Sequence, residues 1–335
     1  METHGRSEDQ TAQALLGAPA LRLGFGCGEL YAGRDRALSR RLIETAIDHG
    51  VSYFDTARLY GHGKAEGILG EVLRGRRHQV TLASKAGILP TDMSLRRRIA
   101  DKATTLVRAV PPLRRFAPPP KPAEPTFGVF GVAELRASVD TSLRELGTDY
   151  LDLLFLHECT VENATDPDVV ALLSQLKSEG KIRAWGVATS VETILQLAPM
   201  RSSSAPQVLQ FPSSAWNRNI ERVAPLASAP LVTHSVLGGR FRDLVRALRD
   251  DQRLRAQAIA LGVDPDDGSA LAAGMLAAQL HANPEGVVLF STSSPERLAA
   301  NILAAGLPAE RAAAAVRLAE AHAANEPPDV VESVV

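Results

Sequence analysis

The feature that most constrains the fold is a repeated alternation of short apolar segments with segments that have helical periodicity. Between one apolar run and the next, apolar residues recur at the three- and four-residue spacing of a helix, and glycines such as Gly50, Gly147 and Gly180 follow as stop signals. This alternation is typical of βαβ units, whose strands run parallel in one sheet. The eight predicted strands cover residues 21–26, 51–55, 80–84, 151–156, 182–188, 208–211, 231–233 and 287–290.

The number of strands and the chain length together indicate one large domain. The chain has 335 residues, and a single (β/α)8 barrel takes roughly 250 residues or more. We therefore predict an α/β protein with a (β/α)8 TIM barrel. A doubly wound sheet with a dinucleotide fingerprint is the alternative, but Gly24, Gly26 and Gly28 have the wrong spacing for that fingerprint. The predicted helices cover 38–47, 65–73, 132–146, 169–179, 253–261, 271–281 and 295–303.

A Pro-rich, basic insertion at 88–130 interrupts the alternation after the third predicted strand. It contains a run of three prolines, 118–120, and eight basic residues between Arg96 and Lys121. Such a segment cannot be a barrel strand or one continuous helix. A solvated surface excursion is the favoured interpretation, and a lid or substrate-selecting loop competes because the segment leaves the end of a strand. A nucleic-acid-binding arm ranks third, since Phe116, Phe127 and Phe130 are its only aromatic residues.

The remaining boundaries and the cellular setting follow from composition. Residues 1–20 are predicted to be a flexible N-terminal tail, 21–325 a single barrel, and 326–335 a C-terminal tail, with only a short tail expected after Glu310. The net charge of −1 gives no general attraction to nucleic acid or to an anionic membrane. No apolar run is long enough to span a membrane. Two cysteines, Cys27 and Cys159, are predicted to be buried and reduced in a cytoplasmic protein.

Four polar residues lie at the ends of the predicted strands or just beyond them: Asp55, Tyr60, Lys85 and His157. Taken singly, each has an ordinary structural explanation, such as a helix cap, a packing residue, a solvated lysine or a buried histidine. A parallel barrel, however, brings the carboxyl ends of all its strands to one rim, where barrel enzymes have their active sites. A tyrosine normally titrates near pH ~10, and an adjacent ammonium is expected to lower its pKa. Such a tyrosine is suited to protonating a carbonyl oxygen that gains negative charge.

Five longer segments share the pattern of one known family. They are FDTARLYG at 54–61, EGILG at 66–70, ASK at 83–85, LRELGTDYLDLLFLH at 143–157 and EGKIRAWGV at 179–187. Together they resemble the aldo-keto reductases, and the resemblance extends from about Leu21 to Asn301. It implies a catalytic tetrad in which Tyr60 is the general acid, Asp55 and Lys85 tune it, and His157 orients the carbonyl.

The same resemblance implies an extended nicotinamide cofactor, NADP(H) in preference to NAD(H), and no metal. Gln210 would hold the carboxamide, and His234 stands where many members of the family stack a tyrosine on the nicotinamide. Two further departures are Ala300 in place of a common glutamate and Ser291 in place of a glycine or lysine. The implied cofactor-binding residues are Gly26, Cys27, Thr189, Ser190, Gln210, His234, Ser235, Leu237, Gly239, Ser291, Thr292, Ser293, Arg297 and Asn301.

The expected activity is an NADP(H)-dependent interconversion of a carbonyl group, in an aldehyde, ketone or sugar, with an alcohol. Its expected partner is a small-molecule substrate, with no nucleic acid or membrane involved. A cofactor-binding regulatory subunit with little turnover is the alternative from another class. A barrel lyase or isomerase that uses no nicotinamide is a third possibility.

Overall fold

The computed structural model describes residues 22–30, 36–90 and 124–324. Its eight strands are all parallel and close into a barrel in chain order, with β1 hydrogen-bonded to both β2 and β8. The predicted (β/α)8 barrel is confirmed. The strands are β1 Leu23–Gly26, β2 Tyr53–Asp55, β3 Thr81–Ala86, β4 Leu151–His157, β5 Ile182–Ala188, β6 Leu209–Pro212, β7 Leu231–His234 and β8 Val287–Phe290.

Strands β5 and β8 have the predicted bounds, and the other predictions are off by one or two residues at an end. The difference that matters for the site is in β3, which was expected to stop before Lys85 but continues through Ala86. Lys85 pairs with Phe155 of β4 and is only 3% exposed. The strand prediction was wrong there because a charged residue normally marks a strand end, whereas this lysine is neutralised inside the barrel.

Two apolar layers surround the sheet. The barrel interior is filled mainly by small and branched side chains with Tyr53 and Phe155 among them, and a larger layer packs between the strands and the outer helices. Parallel strands that are buried on both faces are expected to read as continuous apolar runs. This explains why β4 and β8 were easy to find in the sequence. The interior filling also makes the barrel a packed core whose polar groups are confined to its ends.

Some of the outer helices have the predicted bounds, whereas the last described helix was missed. The helices Val132–Leu146 and Pro295–Leu303 have the predicted bounds. The expectation of only a short tail after Glu310 was wrong, because Ala309–Ala323 is a helix whose buried alanines pack against Gly268–Ala282. The other helices are Arg36–Asp48, Tyr60–Gly63, Ala65–Leu73, Val161–Thr165, Pro167–Ser178, Val191–Leu197, Asn219–Val223, Gly238–Asp250 and Gln252–Ala260.

The predicted insertion falls largely outside the described residues, since 91–123 are not among them. Its two flanks meet beside the barrel: Leu89 and Thr126 form an antiparallel bridge, and the Val129 amide donates to the Gly87 carbonyl. The predicted tails, 1–20 and 326–335, also lie outside the described residues. Cys27 and Cys159 are free thiols and buried, as predicted. Within the described ranges, no helix has the length and apolar character needed to cross a bilayer.

Candidate active site

A cavity of about 1080 Å³ opens at the carboxyl ends of the strands. All eight strands contribute residues from their carboxyl-terminal parts or from the segments that follow them, so the barrel topology brings together side chains that are far apart in the sequence. Of the predicted site residues, the structure places these on the wall: Gly26, Asp55, Tyr60, Lys85, His157, Gln210, His234, Ser235, Leu237, Ser291, Thr292, Ser293, Arg297 and Asn301.

Asp55 and Lys85 form a buried ion pair at the floor of this cavity. The Lys85 ammonium donates to Asp55 Oδ1, to the Thr56 carbonyl at 3.2 Å and to the Tyr60 hydroxyl at 3.3 Å. Each of the three ammonium protons therefore has an acceptor. Burial alone would lower the pKa of Lys85, but Asp55 and Tyr60 outweigh burial and raise that pKa. The lysine consequently stays charged at neutral pH.

Tyr60 begins the short helical turn Tyr60–Gly63, which follows β2 after a four-residue connection. Gly61 and His62 both have left-handed backbone conformations, with φ of 59° and 56°, which turn the chain sharply away after the tyrosine. The His157 ring stands edge-on to the Tyr60 ring, with centroids 6.1 Å apart. The turn thus holds the phenol between a cation and an imidazole.

The pKa of Tyr60 differs from the sequence-based expectation. Burial raises it above its ordinary value, and the opposing effect of Lys85 does not cancel that increase. The expected lowering was wrong because the desolvation of a phenolate inside the barrel outweighs the nearby charge. The phenol therefore keeps its proton at neutral pH, which is the form that a general acid needs.

His157 and His234 are both held neutral. Burial, reinforced by the charge of Lys85, lowers the pKa of His157 to about 3 and the pKa of His234 to about 4. A neutral imidazole has one N–H to donate and one nitrogen to accept. His234 uses Nδ1 in a 2.8 Å hydrogen bond with the Ser235 hydroxyl. Both rings can therefore contact a ligand without adding charge to the cavity.

Gln210 connects the two sides of the barrel at the cavity floor. Its Nε2 donates to Asp55 Oδ2 at 3.0 Å, while its Oε1 is buried and accepts no hydrogen bond from any described residue. A buried amide oxygen without a donor is costly, so it favours a ligand that brings an N–H. The carboxamide of a nicotinamide has such a donor. The predicted role of Gln210 thus fits the chemistry of the residue.

The far end of the cavity has the hydroxyl and guanidinium groups expected around phosphate. The Ser294 hydroxyl caps the helix Pro295–Leu303, and Arg297 Nη2 donates to the Ser293 hydroxyl at 3.4 Å. The Ser291 hydroxyl donates to the Gly26 carbonyl at 2.9 Å and so joins β8 to β1. Several hydroxyl groups next to an arginine fork are suited to binding an anion.

Four predicted cofactor-binding residues lie off the cavity wall: Cys27, Thr189, Ser190 and Gly239. The Thr189 hydroxyl donates to the Cys159 carbonyl at 2.7 Å, and the Ser190 hydroxyl caps the helix Val191–Leu197. The Cys27 thiol is directed at the Phe25 carbonyl. These side chains have local structural roles, so their assignment to a cofactor stays a prediction.

Sequence reasoning missed several residues of the wall, among them Glu29, Glu158, Arg242 and Arg249. Glu158 could have been found, because it directly follows His157 at the end of β4. Arg242 and Arg249 are spaced by seven residues on the helix Gly238–Asp250, a spacing that places both on one helix face. That helix was not predicted, since it opens with two glycines.

Comparison with known proteins gives a consistent result. A model of the aldo/keto reductase family matches residues 22–319. The uncharacterized oxidoreductase YqkF of Bacillus subtilis is 30% identical over 204 residues, which cover 61% of this chain and 56% of YqkF. Aldo-keto reductase YhdN of the same organism is 28% identical over 249 residues, which cover 71% of this chain and 63% of YhdN. The match thus spans less than two thirds of either relative.

Among solved structures, the chain is similar to an aldo/keto reductase from Klebsiella pneumoniae in complex with NADP and acetate. The two are 25% identical with a TM-score of 0.60, and the match covers 89% of this chain and 90% of the other. Most of the barrel is therefore shared with a protein that binds NADP.

Proposed function

Since this chain belongs to the aldo/keto reductase family, we propose that it is an NADP(H)-dependent oxidoreductase that interconverts a carbonyl group and an alcohol. The observation that carries the proposal is the arrangement around Tyr60. Its hydroxyl lies 3.3 Å from a lysine ammonium that is itself paired with Asp55, and all three groups face one cavity. A protonated phenol held by a fixed cation is suited to acid catalysis at an oxygen.

In the reduction direction, Tyr60 gives its proton to the carbonyl oxygen as that oxygen gains negative charge. The Lys85 ammonium then stabilises the phenolate that remains, and this stabilisation favours proton transfer from Tyr60 to the carbonyl oxygen. Asp55 keeps the ammonium in place through their ion pair. His157, neutral and edge-on to Tyr60, orients the carbonyl oxygen through an N–H donor. In the oxidation direction the same groups take the proton from an alcohol.

The cavity wall fits a nicotinamide dinucleotide. Gln210 Oε1 can accept from a carboxamide N–H, and His234 presents an aromatic ring nearby. Ser291, Thr292 and Ser293 offer hydroxyls, and Arg297 offers a cation for a phosphate. When bound, the cofactor supplies or accepts the hydride. The residues of this chain hold it against the wall on which Tyr60 lies.

Preference for NADP(H) over NAD(H) is supported by the positive charge of the far end of the cavity. Arg242, Arg249 and Arg297 all line it, and a 2′-phosphate adds two negative charges that such cations attract. The similar Klebsiella structure in complex with NADP supports the same choice. The two free, buried cysteines suit a reducing compartment, and we therefore propose a cytoplasmic location.

The regulatory alternative receives less support. A cofactor-binding subunit without turnover does not need an ordered proton donor, yet the ammonium, the carboxylate and the phenol are all in place. YqkF and YhdN are also named as an oxidoreductase and an aldo-keto reductase. Catalysis is thus the better-supported function.

The test is a screen of aldehydes and ketones with NADPH and with NADH, carried out on the wild-type protein and on Tyr60→Phe. Turnover is measured as the loss of cofactor absorbance. We expect Tyr60→Phe to bind NADPH with wild-type affinity but to lose about 10²- to 10⁴-fold in kcat, the usual contribution of a general acid. Tyr150→Phe is the matched control, because Tyr150 lies at the opposite end of the barrel between two arginines. An active Tyr60→Phe variant would remove the tyrosine from the acid role. A wild-type protein that turns over no carbonyl compound would contradict the proposal as a whole.

A further inference from the structure

The two ends of the active-site cavity carry opposite charge. Three arginines, Arg242, Arg249 and Arg297, line the end assigned to the cofactor phosphates, and Asp266, another wall residue, is already paired with Arg255. Two carboxylates, Glu29 and Glu158, belong to the wall on the side of the tetrad. Neither of these two glutamates forms an ion pair with a described residue. The phosphates account for the arginines, but nothing in the proposed chemistry accounts for the carboxylates.

Glu158 is held firmly in its position. It follows His157 directly, its backbone has a left-handed φ of 53°, and its amide donates to the Ala188 carbonyl at 2.8 Å. A left-handed conformation is unfavourable for a residue with a side chain, so the neighbouring structure must stabilise it. Glu158 is exposed and lines the same cavity as His157. Partial burial raises the pKa of Glu158, an effect that Lys85 opposes, so a cation in the cavity would favour its charged form.

Glu29 lies on a segment next to Tyr60. It ends the 3-10 turn Cys27–Glu29, which packs against the turn that carries Tyr60. The residue before it, Gly28, is close to the phenol ring, since a Cβ there would be in ordinary contact with Tyr60 Cζ at 3.9 Å. Gly28, Glu29, Tyr60 and Glu158 all belong to the cavity wall, so a carbonyl bound at Tyr60 shares the cavity with both glutamates.

From this arrangement we infer that Glu158, with help from Glu29, selects carbonyl substrates that carry a positive charge, such as an ammonium group, and disfavours substrates that carry a carboxylate. The inference rests on the proposed function, because it concerns the substrate of the same site. The Lys85 ammonium does not reverse the selection, since Asp55 neutralises it within the floor.

The size of the effect follows from Coulomb attraction. For unit charges about 6 Å apart in a partly hydrated cavity, with an effective dielectric constant of roughly 40 to 80, one carboxylate changes kcat/KM by about 3- to 10-fold. Two carboxylates give more, and added salt reduces the effect because the cavity opens to water.

The experiment compares three benzaldehydes that carry a trimethylammonio, tert-butyl or carboxylate group at the end of a saturated two-carbon spacer in the para position. The first two groups have nearly the same shape, and the spacer insulates the carbonyl from their inductive effects, so the ratio of the two rates isolates charge. We expect kcat/KM to be about 3- to 10-fold higher for the trimethylammonio compound than for the tert-butyl compound, and lower for the carboxylate than for either. In Glu158→Gln the first ratio should fall towards one.

Glu162→Gln is the matched control, because Glu162 is an exposed carboxylate on the next helix and does not line the cavity. We expect it to keep the wild-type ratios. Glu29→Gln provides a second, independent variant should Glu158→Gln fold poorly, and it should lower the cation preference to a smaller extent.

The outcomes separate this inference from the proposed function. Reduction of the tert-butyl compound with no preference for the cation, or a preference unchanged by both glutamine variants, overturns the inference while the reductase activity stands. Failure of the wild-type protein to oxidise NADPH with all three compounds, and with the wider carbonyl screen, overturns the proposed function and the inference with it.

Discussion

Two buried aspartates lie at opposite ends of the same barrel, and each accepts from a cation. Asp55 ends β2 at the cavity floor, and Asp152 is near the start of β4 at the other end; each is 2% exposed. Asp152 accepts from Arg77 Nη2 at 2.7 Å, from the Leu82 amide at 2.8 Å and from Arg183 Nη1 at 2.8 Å. Both sites therefore contain a buried carboxylate that is paired with a cationic side chain.

The two ends differ in whether the buried polar atoms around the aspartate all have hydrogen-bond partners. At the Asp152 end, Arg77 also donates to three further oxygens, and the Tyr150 ring is stacked between Arg77 and Arg183 at 4.0 and 4.3 Å. At the Asp55 end, the Thr56 hydroxyl and Gln210 Oε1 are buried without a partner among the described residues. A fully satisfied network stabilises the fold, whereas an incompletely satisfied one has places for a ligand. The comparison thus separates a structural end from a chemical end.

The same substitution at both ends tests this comparison, and the largest effect is expected from Asp55→Asn. The neutral amide leaves Lys85 without its counter-ion, which lowers the lysine pKa and weakens its support of the Tyr60 phenolate. We expect kcat to fall by about 10³-fold, within the usual range for general acid catalysis, with a smaller loss of stability than at Asp152, because a lysine, unlike an arginine, can release its proton and need not remain a buried unpaired charge. Steady-state kinetics and thermal unfolding of the same sample check both parts. A variant that unfolds while its residual folded fraction is fully active would reverse the comparison.

Asp152→Asn is expected to give the opposite pattern. The amide group places an N–H₂ against an arginine donor and leaves the mostly buried Arg77 without its counter-ion. We expect a loss of about 3 kcal/mol in the free energy of unfolding, at the lower end for a broken buried ion pair, because Arg183 is half exposed and can be solvated. Urea unfolding measures that loss, and kcat should stay within about twofold of wild type. A large loss of kcat with unchanged stability would contradict a purely structural role.

Acidification tests the comparison in a further way, because two histidines at the cavity end of the barrel are expected to make the stability of the folded protein depend on pH. The pKa values of His157 and His234, about 3 and about 4, lie below the ordinary value near 6.5. As pH falls below ~6.5 the unfolded chain takes up protons on these histidines before the folded protein does, so stability falls with falling pH and is insensitive to these groups at higher pH. Between pH ~7 and ~5.5 each should remove about 1 kcal/mol, or about 2 kcal/mol together.

Urea unfolding at both pH values measures this loss. His234→Tyr removes one of the two groups and should reduce the loss by about half. An unchanged pH dependence in this variant would mean that His234 is not held neutral in the folded protein.

The smallest expected effect is on cofactor affinity in the same His234→Tyr variant. A tyrosine ring offers a larger face for stacking than an imidazole, and aromatic pairs contribute about 0.5–1.5 kcal/mol. We expect NADPH to bind about fivefold more tightly, as measured by fluorescence titration, with the melting temperature of the unliganded protein unchanged. We expect a substitution to improve cofactor binding only at the cavity end of the barrel, where buried polar atoms have no partner among the described residues. Weaker binding would show that His234 contributes through its hydrogen bond with Ser235.

The barrel could be predicted from the sequence because its strands are buried on both faces and read as apolar runs. The predictions were least accurate where a polar group is inside a strand, as at Lys85, or where a helix lacks the usual signals. The helix Ala309–Ala323 is rich in alanine and has a buried alanine face that packs tightly on its neighbour. Such a face has little hydrophobic contrast, so periodicity alone does not reveal it.

The meeting of Asp55, Tyr60, Lys85 and His157 at one cavity could be predicted because strand ends of a parallel barrel must share a rim. Contacts across the barrel could not be predicted. The hydrogen bond between Gln210 and Asp55 joins residues 155 positions apart, and no local pattern announces it. The pKa of Tyr60 was predicted in the wrong direction, because burial cannot be read from neighbouring residues. From the sequence alone, Glu29 and Glu158 are interpreted as solvated glutamates. Only the structure shows that both line the same cavity.

The hydrogen bond between Gln210 and Asp55 joins two halves of the barrel to which we assign different tasks. Strands β2 and β6 are diametrically opposed in an eight-stranded barrel. The first four strands, with the turns after them, supply Asp55, Tyr60, Lys85 and His157, to which we assign proton transfer, and the last four, with the segments after them, supply Gln210, His234 and Arg297, which we propose hold the cofactor. If the polypeptide were cut between β4 and β5, each fragment would carry one half of the active site. Activity in a mixture of the two fragments would then report directly on the reassembly of the barrel, with Asp55 and Gln210 as the point where the halves recognise each other.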